Sequence, residues 1–235
     1  MSGARADLDR EKAAAARAAV AEVRDGMIVG IGTGSTVAFA IAALAERCAQ
    51  GLRVTGVATS LRSDAIARAA GIAMIDFADR ATVDLAIDGV DEIDGRLRAI
   101  KGAGGAMLRE KIVAAAAPRM IAIADSRKLV DRLGQAPLPV EVLPFARRFV
   151  QRRIEELGGA PHMREDAAGS PYRTDQGNGV LDCGFGRIHA AAELAAGLSA
   201  IPGIMGHGLF VGEIDALYVG RGDTAEYRER PNRPG

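Results

Sequence analysis

The sequence predicts an α/β protein, a parallel sheet covered by helices on both faces, with a smaller α+β domain inserted late in the chain. Three observations carry this. Up to residue 133, short apolar runs alternate with longer segments of helical spacing, the alternation that parallel sheets need. Past Gly134 the order becomes strand, helix, strand, strand, helix, strand, which is ferredoxin-like. A last apolar run at 214–219 can return to the first sheet. With 235 residues, 49% of them hydrophobic, the chain can bury one large core or two smaller ones.

Taken in order, residues 9–25 place alanine, valine and charged groups at helical spacing, with Asp9 as N-cap and Gly26 as stop. A strand at 27–31, a small polar loop at 32–36 and an apolar helix at 37–48 form a strand–loop–helix unit. The pattern repeats with a strand at 52–58, a Thr59-Ser60 turn, a helix at 63–70 closed by Gly71, and a strand at 72–75. The strand at 83–87 ends in Asp88 and Asp91, a hairpin turns at Asp94-Gly95, and the next strand delivers Lys101 into Gly102-Ala103-Gly104-Gly105. A helix then runs from near Ala106 to Pro118, and a strand at 120–124 leads into Asp125-Ser126-Arg127-Lys128. In the second region the strands fall at 140–143, 161–165, 179–183 and 203–210, and the helices at 145–157 and 188–199. The tail from Arg221 is polar, contains proline and is expected to fray. These elements divide into a Rossmann-like domain, 1–133 with 208–235, and a ferredoxin-like domain, 134–207.

Composition narrows the function classes. Lys plus Arg equals Asp plus Glu at 30 each, so no net field points to nucleic acid or an anionic membrane. No apolar run approaches a membrane span, and the charged N-terminus through Lys12 has no signal core, so a cytoplasmic protein is expected. Cys48 and Cys183, far apart in sequence, read as small buried residues of a reducing compartment. His162, His189 and His207 have no metal-ligand spacing, so no metal is expected.

The chemistry concentrates at 83–113. Glycines at 102, 104 and 105 permit backbone conformations in which successive N–H groups point into one cavity at the positive end of the following helix. Glu110 lies about one turn inside that helix, and Asp88 and Asp91 follow a buried strand at the sheet edge where open α/β folds place ligands. Asp94, beside Gly95, reads as a turn residue. Lys101 alone would be a solvated charge, but before the glycine loop it shares a cavity with those donors and carboxylates. Such a set can transfer protons while holding an oxyanion. A desolvated Glu110 would also have a raised pKa suited to a base near neutrality. The segment Thr174 to Gly179 reads as a polar turn.

Gly30-Ile31-Gly32-Thr33-Gly34-Ser35-Thr36 lies between a strand and a helix, where phosphate is received. It has no P-loop lysine. A dinucleotide site needs Gly or Ala at Ser35 and an acidic residue after the second strand, where Val57-Ala58-Thr59-Ser60 stands. A monophosphate held by the Ser35 and Thr36 hydroxyls and backbone donors remains, against a tight turn that binds nothing.

Together these residues resemble the A-type ribose-5-phosphate isomerase family, from about Asp9 to about Gly220. Four signatures occur in order: Gly32 to Thr36; Asp88-Gly89-Val90-Asp91-Glu92; Lys101 to Ala106 followed by Arg109-Glu110-Lys111; and Pro137-Leu138-Pro139-Val140-Glu141-Val142. The resemblance implies interconversion of ribose 5-phosphate and ribulose 5-phosphate in the pentose phosphate pathway, no metal or cofactor, and a homodimer or homotetramer. It implies Glu110 as proton acceptor between C2 and C1. It implies substrate contacts from Thr33, Gly34, Ser35 and Thr36, from Asp88, Gly89, Val90 and Asp91, from Lys101, Gly102, Ala103 and Gly104, and from Lys128, with Lys12 on phosphate. Asp88 with Asp91 is expected to open the sugar ring, and Lys101 with the loop N–H groups to hold the oxyanion. The family commonly has Gly at Ala103, Ala at Val90 and Asn at Gln176. The rivals are an amino-sugar-phosphate deaminase, a CoA-transferase-like enzyme using a glutamate near a glycine loop, or a non-catalytic sugar-phosphate sensor; the sensor would need neither Glu110 nor Lys101.

Overall fold

Alternation of side chains along the strands builds the main sheet between two cores. The computed structural model describes residues 2–231. Its first half runs α1 (Ser2–Val20), β1 (Ile28–Ile31), α2 (Ser35–Ala49), β2 (Thr55–Ala58), α3 (Leu61–Ala69), β3 (Ala73–Met74) and β4 (Leu85–Gly89). The short hairpin β5 (Glu92–Ile93) and β6 (Ala99–Ile100) follows, then α4 (Met107–Ala116) and β7 (Met120–Ala124). The second half runs β8 (Leu138–Val142), α5 (Arg147–Glu156), β9 (Ala160–Met163), β10 (Gly179–Gly184), α6 (Ala191–Ser199), β11 (Ile204–His207), β12 (Leu209–Phe210), β13 (Ala216–Arg221) and β14 (Thr224–Glu229).

Seven strands form the main sheet in the order β14-β13-β7-β4-β1-β2-β3, parallel except for β14. Ile121 and Ile123 of β7 enter a core with Val20 of α1 and Ile41 of α2. Met120, Ala122 and Ala124 enter the opposite core with Val113 and Ala114 of α4. Both faces are therefore covered, and each buried large aliphatic side chain contributes about 1.5–3 kcal/mol.

The strands of 138–207 form a second sheet, β11-β8-β10-β9, antiparallel throughout. Val150 and Ile154 of α5 and Leu198 of α6 pack on its Val140, Val142 and Leu181. A third sheet, β12-β6-β5, pairs the β5–β6 hairpin with β12, the strand on the chain's return from β11 to β13. No helix among the described residues is long and apolar enough to cross a membrane.

Three local expectations are corrected. The first helix begins at Ser2, so Asp9 is an interior residue 3.5 Å from Lys12 and not an N-cap; the alanines, arginine and leucine before it are good helix formers. The tail from Arg221 does not fray throughout: β14 pairs with β13 from Thr224 to Glu229. Its polar composition is that of an edge strand, anchored by Tyr227 against Tyr218 at 5.0 Å between ring centroids and by Arg119 on Glu229 at 2.8 Å. Cys183 is buried, whereas Cys48 is only half-buried.

Candidate active site

Parallel strands finish at one edge of a sheet, so the loops after β1, β4 and β7 converge there. The loop after β1 holds Thr33 and Gly34 and leads into Ser35 and Thr36 at the start of α2, the one after β4 holds Val90 and Asp91, and the turn after β7, Ser126–Lys128, holds Lys128. Antiparallel pairing of β5 with β6 sends the chain back to the same edge, where Lys101 follows β6. Helix α4 then begins immediately beyond the glycine loop and carries Glu110 in its first turn.

An ionic cluster lies at the centre. The Lys101 side chain is 2% exposed, and its ammonium lies 2.9 Å from Asp88 Oδ2 and 3.3 Å from Glu110 Oε2. It also donates to the Gly89 carbonyl at 2.5 Å. Asp88 Oδ1 accepts from the N–H groups of Thr33 (3.0 Å) and Gly89 (2.7 Å), which fixes the carboxylate. Glu110 Oε2 is close to Lys101 but outside hydrogen-bond geometry, so a buried carboxylate oxygen is left without a hydrogen-bond donor among the described residues. Burial, reinforced by the Asp88 charge, pushes the Glu110 carboxyl up to about 8 despite Lys101. Burial also pushes Asp88 up against the pull of Lys101. Lys101 is held above its ordinary value because Asp88 and Glu110 outweigh the effect of its burial.

Beside this cluster is a cavity of about 180 Å³ lined by Thr33, Gly34, Ser35, Thr36, Gly89, Val90, Asp91, Lys101, Gly102, Ala103, Gly104, Glu110 and Lys128. It is smaller than the range of about 300–1,000 Å³ for drug-sized ligands, and suits a small polar one. Helix α2 starts at it and α4 starts three residues beyond the lining residue Gly104, and neither has a side-chain cap: Gly34 and Ala106 occupy the cap positions. Their first N–H groups are therefore free to receive anionic oxygens. A larger hollow of about 450 Å³ between α3 and α4 lacks such a cluster; it is mainly apolar, and its Arg68 is already paired with Asp64 at 2.7 Å.

The structure thus brings most of the expected residues to one place. Lys12 is not among those lining the cavity, and Asp88 sits behind Lys101 rather than on the wall. The Thr33 hydroxyl turns away to Thr59 and Ser60, each at 2.9 Å. The expectation that all the loop N–H groups face the cavity is narrowed. Ala103 N–H donates to Asp91 Oδ2 and Gly105 N–H to the Gly102 carbonyl, both at 2.9 Å, whereas among the described residues the Gly104 N–H has no protein acceptor. Asp175, read as part of a polar turn, accepts from Leu61 N–H at the start of α3 (2.8 Å) and docks that turn on the main sheet's helices.

Several supporting residues escaped sequence reading. Glu92 accepts from Gly134 N–H at 2.8 Å and from Ala136 N–H, tying β5 to the segment that enters the second sheet. Glu11 of α1 accepts from Ser126 N–H at 2.8 Å and holds the turn bearing Lys128. Arg164 and Tyr172 contact the glycine loop from the connection between β9 and β10. Only Glu92, adjacent to Asp91 in a signature, had any local signal; the others act on partners remote in sequence.

The family model of ribose 5-phosphate isomerase A (phosphoriboisomerase A) matches residues 55–224. Ribose-5-phosphate isomerase A of Sphingopyxis alaskensis is 53% identical over 220 residues, 94% of this chain and 96% of that protein. The enzyme of the same name from Gloeobacter violaceus is 52% identical over 215 residues, 91% of this chain and 93% of that one. Among solved structures, ribose 5-phosphate isomerase A of Methanocaldococcus jannaschii superposes with a TM-score of 0.88 at 37% identity, covering 93% of this chain and 97% of that one. A D-ribose-5-phosphate isomerase in complex with phospho-erythronic acid superposes with a TM-score of 0.92 at 33% identity, over 95% and 99% of the two chains.

Proposed function

The chain belongs to the ribose 5-phosphate isomerase A family, aldose–ketose isomerases that interconvert D-ribose 5-phosphate and D-ribulose 5-phosphate in the pentose phosphate pathway, and we propose that Glu110 is its base. The observation that carries this is a carboxylate on a rigid helix, 4% exposed, with one oxygen lacking a hydrogen-bond donor, at the wall of the cavity. Glu110 takes the proton from C2 and returns it to C1, while a proton passes from the C2 hydroxyl to the C1 oxygen, so the sugar is isomerised with no net change in protons.

Negative charge develops on the oxygens of the enediolate intermediate. Lys101 and the Gly104 N–H lie on the cavity side to receive it, and one such donor is typically worth about 3 kcal/mol of barrier. Asp91, on the cavity wall, opens the furanose by moving a proton between a hydroxyl and the ring oxygen, and Asp88 supports it from behind through Lys101. The substrate phosphate sits at the uncapped start of α2, with Ser35, Thr36 and Lys128 around it, and this anchoring orients the reacting carbons. Phospho-erythronic acid, bound in the related structure, carries a phosphate and a carboxylate, which fits a cavity that offers donors to a phosphate at the start of α2 and to a second anionic oxygen at Lys101 and Gly104.

The working form is a homodimer or homotetramer, supported by Leu143, Phe149, Met205 and the 96% exposed Phe145, apolar surface on the four-stranded sheet's domain. Two free cysteines fit a cytoplasmic location.

Glu110→Gln tests the central assignment. Ribose 5-phosphate should bind within a few-fold of wild type by calorimetry, while turnover in excess chelator falls by roughly 10²–10⁴, the range of a general base. Wild-type turnover that needs an added metal, or near-wild-type turnover in the variant, would be incompatible with this mechanism.

A further inference from the structure

Arg164 follows β9 on the four-stranded sheet, and its guanidinium is divided between two partners. Nε and Nη2 make a fork on Asp182, at 2.8 Å to Oδ2 and 2.5 Å to Oδ1. Nη1 donates to two consecutive carbonyls of the glycine loop, Gly102 at 3.1 Å and Ala103 at 3.0 Å. The Arg164 side chain is only 14% exposed. Tyr172 faces it across the turn closed by the Glu165–Pro171 bridge, donating its N–H to the Arg164 carbonyl at 2.9 Å and its hydroxyl to the Gly104 carbonyl at 3.3 Å. The Tyr172 ring centroid lies 5.6 Å from the guanidinium carbon, and a Cβ on Gly105 would overlap that ring.

Three successive loop carbonyls are thus drawn toward the connection between β9 and β10 by two of its side chains. In a trans peptide the C=O and N–H point in opposite directions. With the Ala103 carbonyl on Arg164, the Gly104 N–H must face away from Arg164, toward the cavity that Gly104 lines. The loop cannot hold this arrangement unaided, because Gly102 (φ 100) and Gly105 (φ 75) occupy the left-handed region and glycine has wide backbone freedom. Arg164 itself is not among the residues lining the cavity.

We propose that Arg164, clamped by Asp182 and backed by Tyr172, is a positioning residue for the isomerisation. It fixes the peptide planes of residues 102–104 so that the Gly104 N–H is already aimed at the oxygen that becomes negative in the enediolate. The proposal rests on the reading of this loop as the oxyanion donor. A donor oriented in advance needs no reorganisation as charge develops, so the benefit belongs to the transition state and not to substrate binding. Lysine cannot replace the fork, since its ammonium is a point charge without planar, paired donors.

The test compares wild type, Arg164→Ala and Arg164→Lys in steady-state kinetics and in binding of two inhibitors. One is a phosphorylated four-carbon aldonic acid, whose carboxylate mimics the enediolate; the other is the corresponding phosphorylated alditol, which is neutral at that end. Arg164→Ala should lower kcat roughly tenfold to a hundredfold, less than outright loss of an oxyanion donor, with KM within about threefold. Affinity for the acid should fall in parallel with kcat, while affinity for the alditol stays unchanged. Arg164→Lys should show the same pattern to a smaller degree, and decides the matter if the alanine variant does not fold. Equal weakening of both inhibitors, or kcat within twofold of wild type in a folded variant, would overturn the proposal. A wild-type preference for the acid that survives both substitutions overturns it alone; no preference in wild type overturns the oxyanion reading of the loop and the proposal with it.

Discussion

The base proposed for the reaction, Glu110, owes its basicity to where it is buried. An ordinary glutamate is too weak a base to take a carbon-bound proton effectively, and burial next to Asp88 raises its carboxyl to about 8. Lys101 acts in the opposite direction, keeping enough positive charge nearby for the ionised form to exist in a buried site. The sign for activity follows: only the ionised carboxylate accepts the proton, so the rate falls as pH drops through the raised pKa. The acid limb of log kcat/KM should therefore lie well above the ordinary glutamate range, toward pH 8. In Asp88→Asn a neighbouring negative charge is gone and Lys101 has one fewer carboxylate partner, so Glu110 ionises more readily and the limb moves to lower pH. A pH–rate profile of the two proteins measures this directly. A limb that stayed in place, or moved upward, would show that a group other than Glu110 controls it.

Among the elements, β5 has a task that its length conceals. Its Glu92, 4% exposed, accepts from the N–H groups of Gly134 and Ala136, so two residues of strand hold the entrance to the second sheet. Glu92→Ala leaves two amides without their acceptor, and the loss of charge-assisted hydrogen bonds in a buried place costs about 2–4 kcal/mol. For a chain of this size that lowers Tm by roughly 4–16 °C, and kcat measured well below the melting range should stay within a few-fold of wild type. Loss of kcat at unchanged Tm would instead assign Glu92 to the reaction. The same element shows what the sequence made legible. Asp88, Asp91, Lys101 and Glu110 are legible because Asp88 lies at the end of a strand, Asp91 and Lys101 follow one and Glu110 lies in the first turn of a helix, all within one short stretch where geometry is local. Arg164 was not, since the carbonyls it holds are 62 and 61 positions away and a charged residue after an exposed strand resembles any solvated one. The edge strand β14 was missed because one side of it pairs with no strand, so its composition is that of a polar tail. The start of α1 was missed because a favourable cap residue, Asp9, stands inside the helix.

At the scale of the whole molecule, the four-stranded sheet meets the small three-stranded one at one residue. Gly208 separates β11, which pairs with β8 in the four-stranded sheet, from β12, which pairs with β6 in the small central one. Its N–H donates to the Pro139 carbonyl at 2.7 Å and its carbonyl accepts from Lys101 N–H at 2.8 Å. A Cβ there would overlap the Lys101 carbonyl oxygen and lie 3.0 Å from Pro139 Cδ, so alanine cannot be admitted without moving the backbone of Lys101. The ammonium at the centre of the ionic cluster is thus positioned by the crossing between the sheets. Gly208→Ala should then lose stability and activity together, in contrast to Glu92→Ala. A backbone displacement of this kind costs about 3 kcal/mol, or roughly 6–12 °C in Tm. Displacement of a catalytic group by about 1 Å can cost a hundredfold in rate, so kcat at 25 °C should fall at least about tenfold. Calorimetry and kinetics on the same preparation separate the alternatives: a lowered Tm with wild-type kcat would mean that Lys101 keeps its place independently of the junction.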